Sequence, residues 1–165
     1  MSTKNRDSNI GIENLSQLRI DYEARSPSYF PSDQIALSLG IQIMNGLRER
    51  TQESNDSSRV CLHPSSNAAV NVMLIAHPAG FTSRIKRHFS RIKWMIVLDG
   101  ELEISLFDEQ GNCLSVSGLT TSGDSIMRIP ANQYHSVSCV GGTSLFVEIL
   151  DGPYLGEELD RSYID

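Results

Sequence analysis

The sequence predicts a mainly β protein, a sandwich or barrel behind a short helical N-terminal segment, and three observations lead there. Hydrophobic periodicity changes near residue 58 from helical spacing to alternation. Turn-forming stretches then recur, at Asp99-Gly100, "DEQGN" (108–112), "SGD" (122–124) and Gly141-Gly142. The segment "ELEISLF" (101–107) alternates cleanly, with Leu102, Ile104 and Leu106 on one face and Glu101, Glu103 and Ser105 on the other.

Taken in order, residues 1–9 are polar and expected to be disordered. "ENLSQLRIDYEAR" (13–25), with Ile12, Leu15, Leu18 and Tyr22 at helical spacing, predicts a first helix that stops at Ser26-Pro27. "PSDQIALSLGIQIMNGLRER" (31–50) predicts a second, capped by Ser32 or Asp33, with Ile35, Leu39, Ile43 and Leu47 on one face. "TQESNDSS" (51–58) reads as a polar linker. The expected organisation is therefore an extension over 1–58 and a β domain with a C-terminal tail over 59–165.

The 165 residues suffice for one domain with a substantial core. A net charge of -6 and a pI near 5.2 argue against a nucleic-acid partner, because such proteins collect phosphate contacts over a broad basic face. Three cysteines, Cys61, Cys113 and Cys139, without CxxC spacing fit reduced thiols better than a disulfide framework. No signal peptide and no run of roughly 18 apolar residues is found, so a soluble, cytoplasmic protein without a membrane partner is expected. Against this acidic background, "RIKRHFSRIK" (84–93) gathers five of the fourteen Lys and Arg residues together with His88. No Ser-His-Asp order, phosphate-cradling glycine loop or paired-carboxylate site stands out.

Residues 59–154 resemble the cupins, and within them the WbuC-type proteins often encoded with bacterial surface-polysaccharide genes. The matches run in order: "RVCLH" (59–63), "RH" (87–88), "VLDGELEISLFDEQGN" (97–112), "RIPANQYH" (128–135) and "FVEILDGPY" (146–154). The resemblance implies a single double-stranded β-helix, or jelly-roll, barrel of the RmlC-like kind. In the family a first motif supplies two histidines and a glutamate, and a second supplies another histidine. On this chain the later two histidines are His88 and His135, while the first histidine position holds Lys86 and the glutamate position Lys93. A protonated ammonium cannot coordinate a divalent ion and repels it at close range. No cofactor is therefore expected, beyond weak divalent metal at His88 and His135 with help from Glu148 or Cys139.

Strand parity puts Arg84, Lys86 and His88 on one face, and Arg59, Cys61 and His63 likewise share a face of their own strand, which the resemblance places along the same cavity. If His88 points into the barrel, as the resemblance implies, Lys86 does too. Arg59, His63, Lys86, Lys93 and Glu148 are then candidate ligand-binding residues for an anionic small molecule such as a sugar nucleotide. His88 and His135 become candidate catalytic bases of a metal-independent sugar-nucleotide isomerase or epimerase, the alternative reading, and a cupin metalloprotein is a third. The plainer reading is a solvated rim that guards sheet edges. Tyr134 adjoins His135 but belongs on the opposite face. Trp94, opposite Lys93, together with Ile96 and the helical segment at 34–50, is expected to supply a homodimer surface.

Overall fold

A computed structural model describes residues 15–21, 27–30, 39–154 and 159–160. Among them the strands are β1 (Arg19–Asp21), β2 (Ser28–Phe30), β3 (Ser58–Cys61), β4 (Val70–His77), β5 (Arg87–His88), β6 (Lys93–Asp99), β7 (Glu101–Phe107), β8 (Cys113–Thr120), β9 (Ile126–Ile129), β10 (Tyr134–Cys139), β11 (Ser144–Asp151) and β12 (Leu159–Asp160). The α-helix is α1 (Ile41–Ser54). A seven-stranded sheet runs β1-β2-β3-β4-β11-β6-β9, a three-stranded sheet runs β10-β7-β8, and β5 pairs with β12.

Alternation decides which side chains fill the space between the sheets. Leu102 and Ile104 of β7, Met95 and Val97 of β6, Met73 and Ile75 of β4, Val137 and Cys139 of β10 and Phe146 and Leu150 of β11 make one buried cluster inside the barrel. β6 turns into β7 at the expected Asp99-Gly100 hairpin. Gly100 sits at φ +80, and a Cβ there would lie 2.6 Å from Ser144 Oγ, so glycine is required twice over.

The other face of the seven-stranded sheet carries a second cluster. Ile43 and Leu47 of α1 pack there with Val60, Leu74, Ala76 and Leu145, joined by Leu18 and Tyr29. Ile43, Leu47 and Thr51 recur every four residues and are the buried positions of the helix.

Here the N-terminal expectations need correction. Over the predicted first helix, the described residues form a 3-10 turn, Leu15–Gln17, and then β1, which pairs with β2; β2 runs parallel to β3. Leu18 and Ile20 alternate toward the outer cluster, so pairing with an available sheet edge overrides helical spacing. The second helix exists but begins after Gly40; the expected caps Ser32 and Asp33 lie outside the described residues. It also runs through half of the expected linker, to Ser54, and closes on Asn55 in the left-handed conformation. Ile43 and Leu47 are fully buried under the chain's own sheet, Trp94 and Ile96 are half-buried, and Ile41 of α1 is 57% exposed.

Candidate functional site

The interior of the barrel is apolar toward the β6–β7 turn and polar toward the opposite end. Lys93 opens β6 on the same side as Met95 and Val97, and it is 2% exposed. Glu148 lies between Phe146 and Leu150, on the inward face of the neighbouring strand β11. Lys93 Nζ and Glu148 Oε2 meet at 3.1 Å, a nearly dry ion pair.

Lys86 comes from the connection ahead of β5. Its backbone bonds His135 in both directions, Lys86 N–H to the His135 carbonyl at 3.0 Å and His135 N–H to the Lys86 carbonyl at 2.9 Å. Residues directly opposite in such a pair share a face, which puts Lys86 on the His135 side. His88 and His135 are 9% and 1% exposed, with ring centroids 6.0 Å apart. His135 Nδ1–H donates to the Gln133 carbonyl at 2.9 Å, which leaves the Nε2 lone pair inward. His135 Nε2 and His88 Nδ1 are buried without a hydrogen-bond partner.

Electrostatics separates these groups. Burial holds the His88 imidazole down at about 3, with the Lys93 and Lys86 charges adding and Glu148 opposing. Burial and Lys93 hold His135 at about 2. Burial disfavours the Glu148 carboxylate, but the Lys93 and Lys86 ammonium groups outweigh it and bring the carboxyl down to about 2. At neutral pH the interior therefore holds neutral imidazoles and a carboxylate beside the side chains of Lys86 and Lys93.

The remaining predicted residues are more scattered. Arg59 and Cys61 share the inward side of β3, and burial pushes the Cys61 thiol up to about 11, which removes it as a nucleophile. His63 lies just beyond β3, buried, with its Nδ1 accepting from Val72 N–H at 3.0 Å and its ring edge-on to Phe30. Burial lowers its pKa, and Arg91 adds to the effect. Arg84 is exposed, so it does not share the inward face with Lys86 and His88. Arg87 stacks over Phe89 at 4.7 Å and Tyr134 at 4.4 Å on the outside of the barrel, and Tyr134 stays with it, away from His135.

One inward group escaped the sequence reading. His77 ends β4 on the side of Met73 and Ile75, stacked on Phe81 at 3.8 Å, with its Nδ1 2.7 Å from Ser57 Oγ. Burial holds it at about 3, and Glu148, Lys86, Arg59 and Lys93 all act on it. Its two-residue spacing from Ile75 was the available signal; without an assigned strand that spacing carries no meaning.

No protein-family model matches this chain, and no curated protein sequence does. Solved structures do. CapF in complex with 3-isopropenyl-tropolone superposes with a TM-score of 0.53 at 10% identity, over 63% of this chain and 30% of its own. Oxalate oxidase in complex with the substrate analogue glycolate gives 0.52 at 17% identity, over 65% and 55%. The fold is a single cupin barrel. A cupin superfamily protein from Desulfitobacterium hafniense gives 0.48 at 18% identity, over 59% of this chain and 78% of its own. The chain spans less than two thirds of several proteins it matches, 24% in the case of oxalate decarboxylase from Bacillus subtilis.

The resemblance of the sequence implies a set of metal ligands at four motif positions. Of the positions the family motif would use, two hold ammonium groups, and Lys93 is already paired with Glu148. Among the described residues, no three His, Cys, Asp or Glu side chains stand together as a metal-binding group. The inward residues, with Lys93 in place, do not fit a divalent ion.

Proposed function

We propose that this chain is a cupin-fold binding protein for an anionic small molecule, held in the polar end of the barrel. One observation carries the reading: buried, unpartnered nitrogens of His88 and His135 face an interior that also contains Lys86 and Lys93. The lysines attract a carboxylate or phosphate, and the His135 Nε2 lone pair accepts from a ligand hydroxyl. A sugar nucleotide carries both groups, and the WbuC resemblance makes surface-polysaccharide assembly the setting we propose, with a homodimer as the working form.

Base catalysis on a nucleotide-linked sugar is the second reading. The Gln133 carbonyl favours it by fixing the base-competent tautomer of His135. The depressed pKa of about 2 opposes it, since such an imidazole takes a proton only when a bound anion offsets the lysines. Binding is therefore placed first. Entry of solvent deuterium into a sugar ring would reverse that order.

The test is thermal stabilisation by UDP-glucose, with inorganic phosphate as the simpler anion. A ligand at a hundred times its Kd stabilises by about 2.7 kcal/mol, on the order of 5–10 °C for a chain of this size. The shift should shrink as salt rises. Lys86→Ala should remove most of it, whereas Arg87→Ala, on the outside of the barrel, should leave it nearly intact. Equal losses in the two variants would move the binding to the surface, and no shift with either anion would reject the reading.

A further inference from the structure

Sheet edges that face water are guarded by charge, proline or shortness, because their unpaired backbone groups otherwise recruit another strand. Among the described residues most edges follow this rule. β1 is three residues long with Arg19 and Asp21, β9 is four residues long with Arg128, and β10 is covered through bridges from Thr82 and Lys86. β8 does not follow it. It ends the sheet order β10-β7-β8 and runs for eight residues, and its sequence CLSVSGLT holds neither charge nor proline. Leu114 and Val116 on it are 62% and 54% exposed. Hydrogen bonding tells which backbone groups point off this edge. Glu101 and Thr120 lie opposite each other, yet the Glu101 carbonyl accepts from Val140 N–H and Thr120 N–H donates to the Asp124 carbonyl, so the two exchange no bonds. Antiparallel pairs alternate, so Gly118 and Val116, two and four residues back, also direct their N–H and C=O groups away from β7. Gly118 has no reason within its own chain: its φ is not in the left-handed region, and a Cβ there would meet nothing closer than Glu101 Oε1, at an ordinary 3.8 Å.

We propose that β8 pairs antiparallel with β8 of a second copy, about a two-fold axis through Val116, and so joins two three-stranded sheets into one. The axis sets Val116 against Val116 with both N–H···O bonds exchanged, and it lays Leu114 of each copy over the bare backbone of Gly118 of the other. Charge makes a second copy the fitting occupant. A two-fold contact brings each surface against itself, and in a chain of net charge -6 such a contact is repulsive except where the surface is neutral, as it is along β8. The inference rests on the homodimer proposed above, places its interface away from the Trp94 surface expected from the sequence, and is independent of any ligand.

The experiment measures mass by light scattering on the full chain, on Val116→Lys and on Val116→Asp, separately and mixed. The unmodified protein should show twice the mass of one chain across the micromolar range. Each variant alone should show the mass of one chain, because like charges then face each other across the axis; mixing the two should restore the doubled mass, and added salt should weaken that recovery. Gly118→Val, which fills the space for Leu114, should weaken the dimer at least about tenfold. Leu98→Glu, 43% exposed on the outer face of the large sheet, should leave the doubled mass intact. An unmodified protein that stays monomeric overturns this interface and the homodimer together. A dimer that withstands Val116→Lys or Gly118→Val overturns the interface alone, as does a mixture of folded variants that stays monomeric. Far-UV circular dichroism checks the fold of each variant, and if the charged ones do not fold singly, Gly118→Val decides.

Discussion

Glu148 and Lys93 stabilise each other only as a pair. Each is costly to bury alone, and their attraction offsets that cost because the geometry is close and the surroundings nearly dry. Lys93→Met should therefore destabilise the fold by about 3 kcal/mol, by stranding the Glu148 carboxylate. Lys93→Met with Glu148→Leu should recover most of the loss; denaturant titration of the single and double variants measures the coupling, and additive losses would contradict it. How much of the site was legible follows from the same residues. Lys86, His88, Lys93 and His135 could be named from motif position, because a motif fixes where along a strand a side chain falls. Their partners could not: the Lys93–Glu148 contact joins residues far apart in the chain, and Arg84 obeys two-residue spacing yet is exposed. The strand that carries His88 is only Arg87–His88, so parity does not reach back to residue 84.

Among the elements, α1 shows where local sequence is a sound guide and where it fails. Its apolar repeat is real, but its start and end moved: Gly40 opens it, and Thr51–Ser54, with polar side chains typical of a linker, continue it because Thr51 falls on the buried face. The segment around β1 went the other way. Its helical spacing is short enough to be read as either type, and the open edge of β2 decided in favour of a strand. The hairpins from β6 to β8 were readable because glycine turns and two-residue alternation agree there. The helix has a direct test. Leu47→Ala, at a fully buried position against Val60 and Leu74, should cost about 2–5 kcal/mol, whereas Ile41→Ala, 57% exposed, should stay within about 0.5 kcal/mol. Equal costs would mean that α1 is not docked through that face.

Across the whole molecule, acidity should weaken the fold early. His77, His88 and His135 are held at about 3, 3 and 2, against an ordinary value of 6.5, so the unfolded chain binds protons at these positions that the folded chain refuses. Stability from them is complete above about pH 6.5 and falls as pH drops toward 3. Glu148, lowered from 4.5 to about 2, adds a loss that begins only near pH 4.5. Urea midpoints should therefore already fall between pH 7 and pH 5, before carboxylates titrate, and a flat profile over that range would contradict the neutral, buried imidazoles. The sheet order also governs how the protein comes into being. β11 lies between β4 and β6 and is the last long strand among the described residues, so a nascent polypeptide that has emerged only to Gly142 carries two half-sheets with no strand between them. Lys93 then leaves the ribosome some fifty residues before its counter-charge, and the barrel interior closes around that ammonium only when translation delivers residues 144–151.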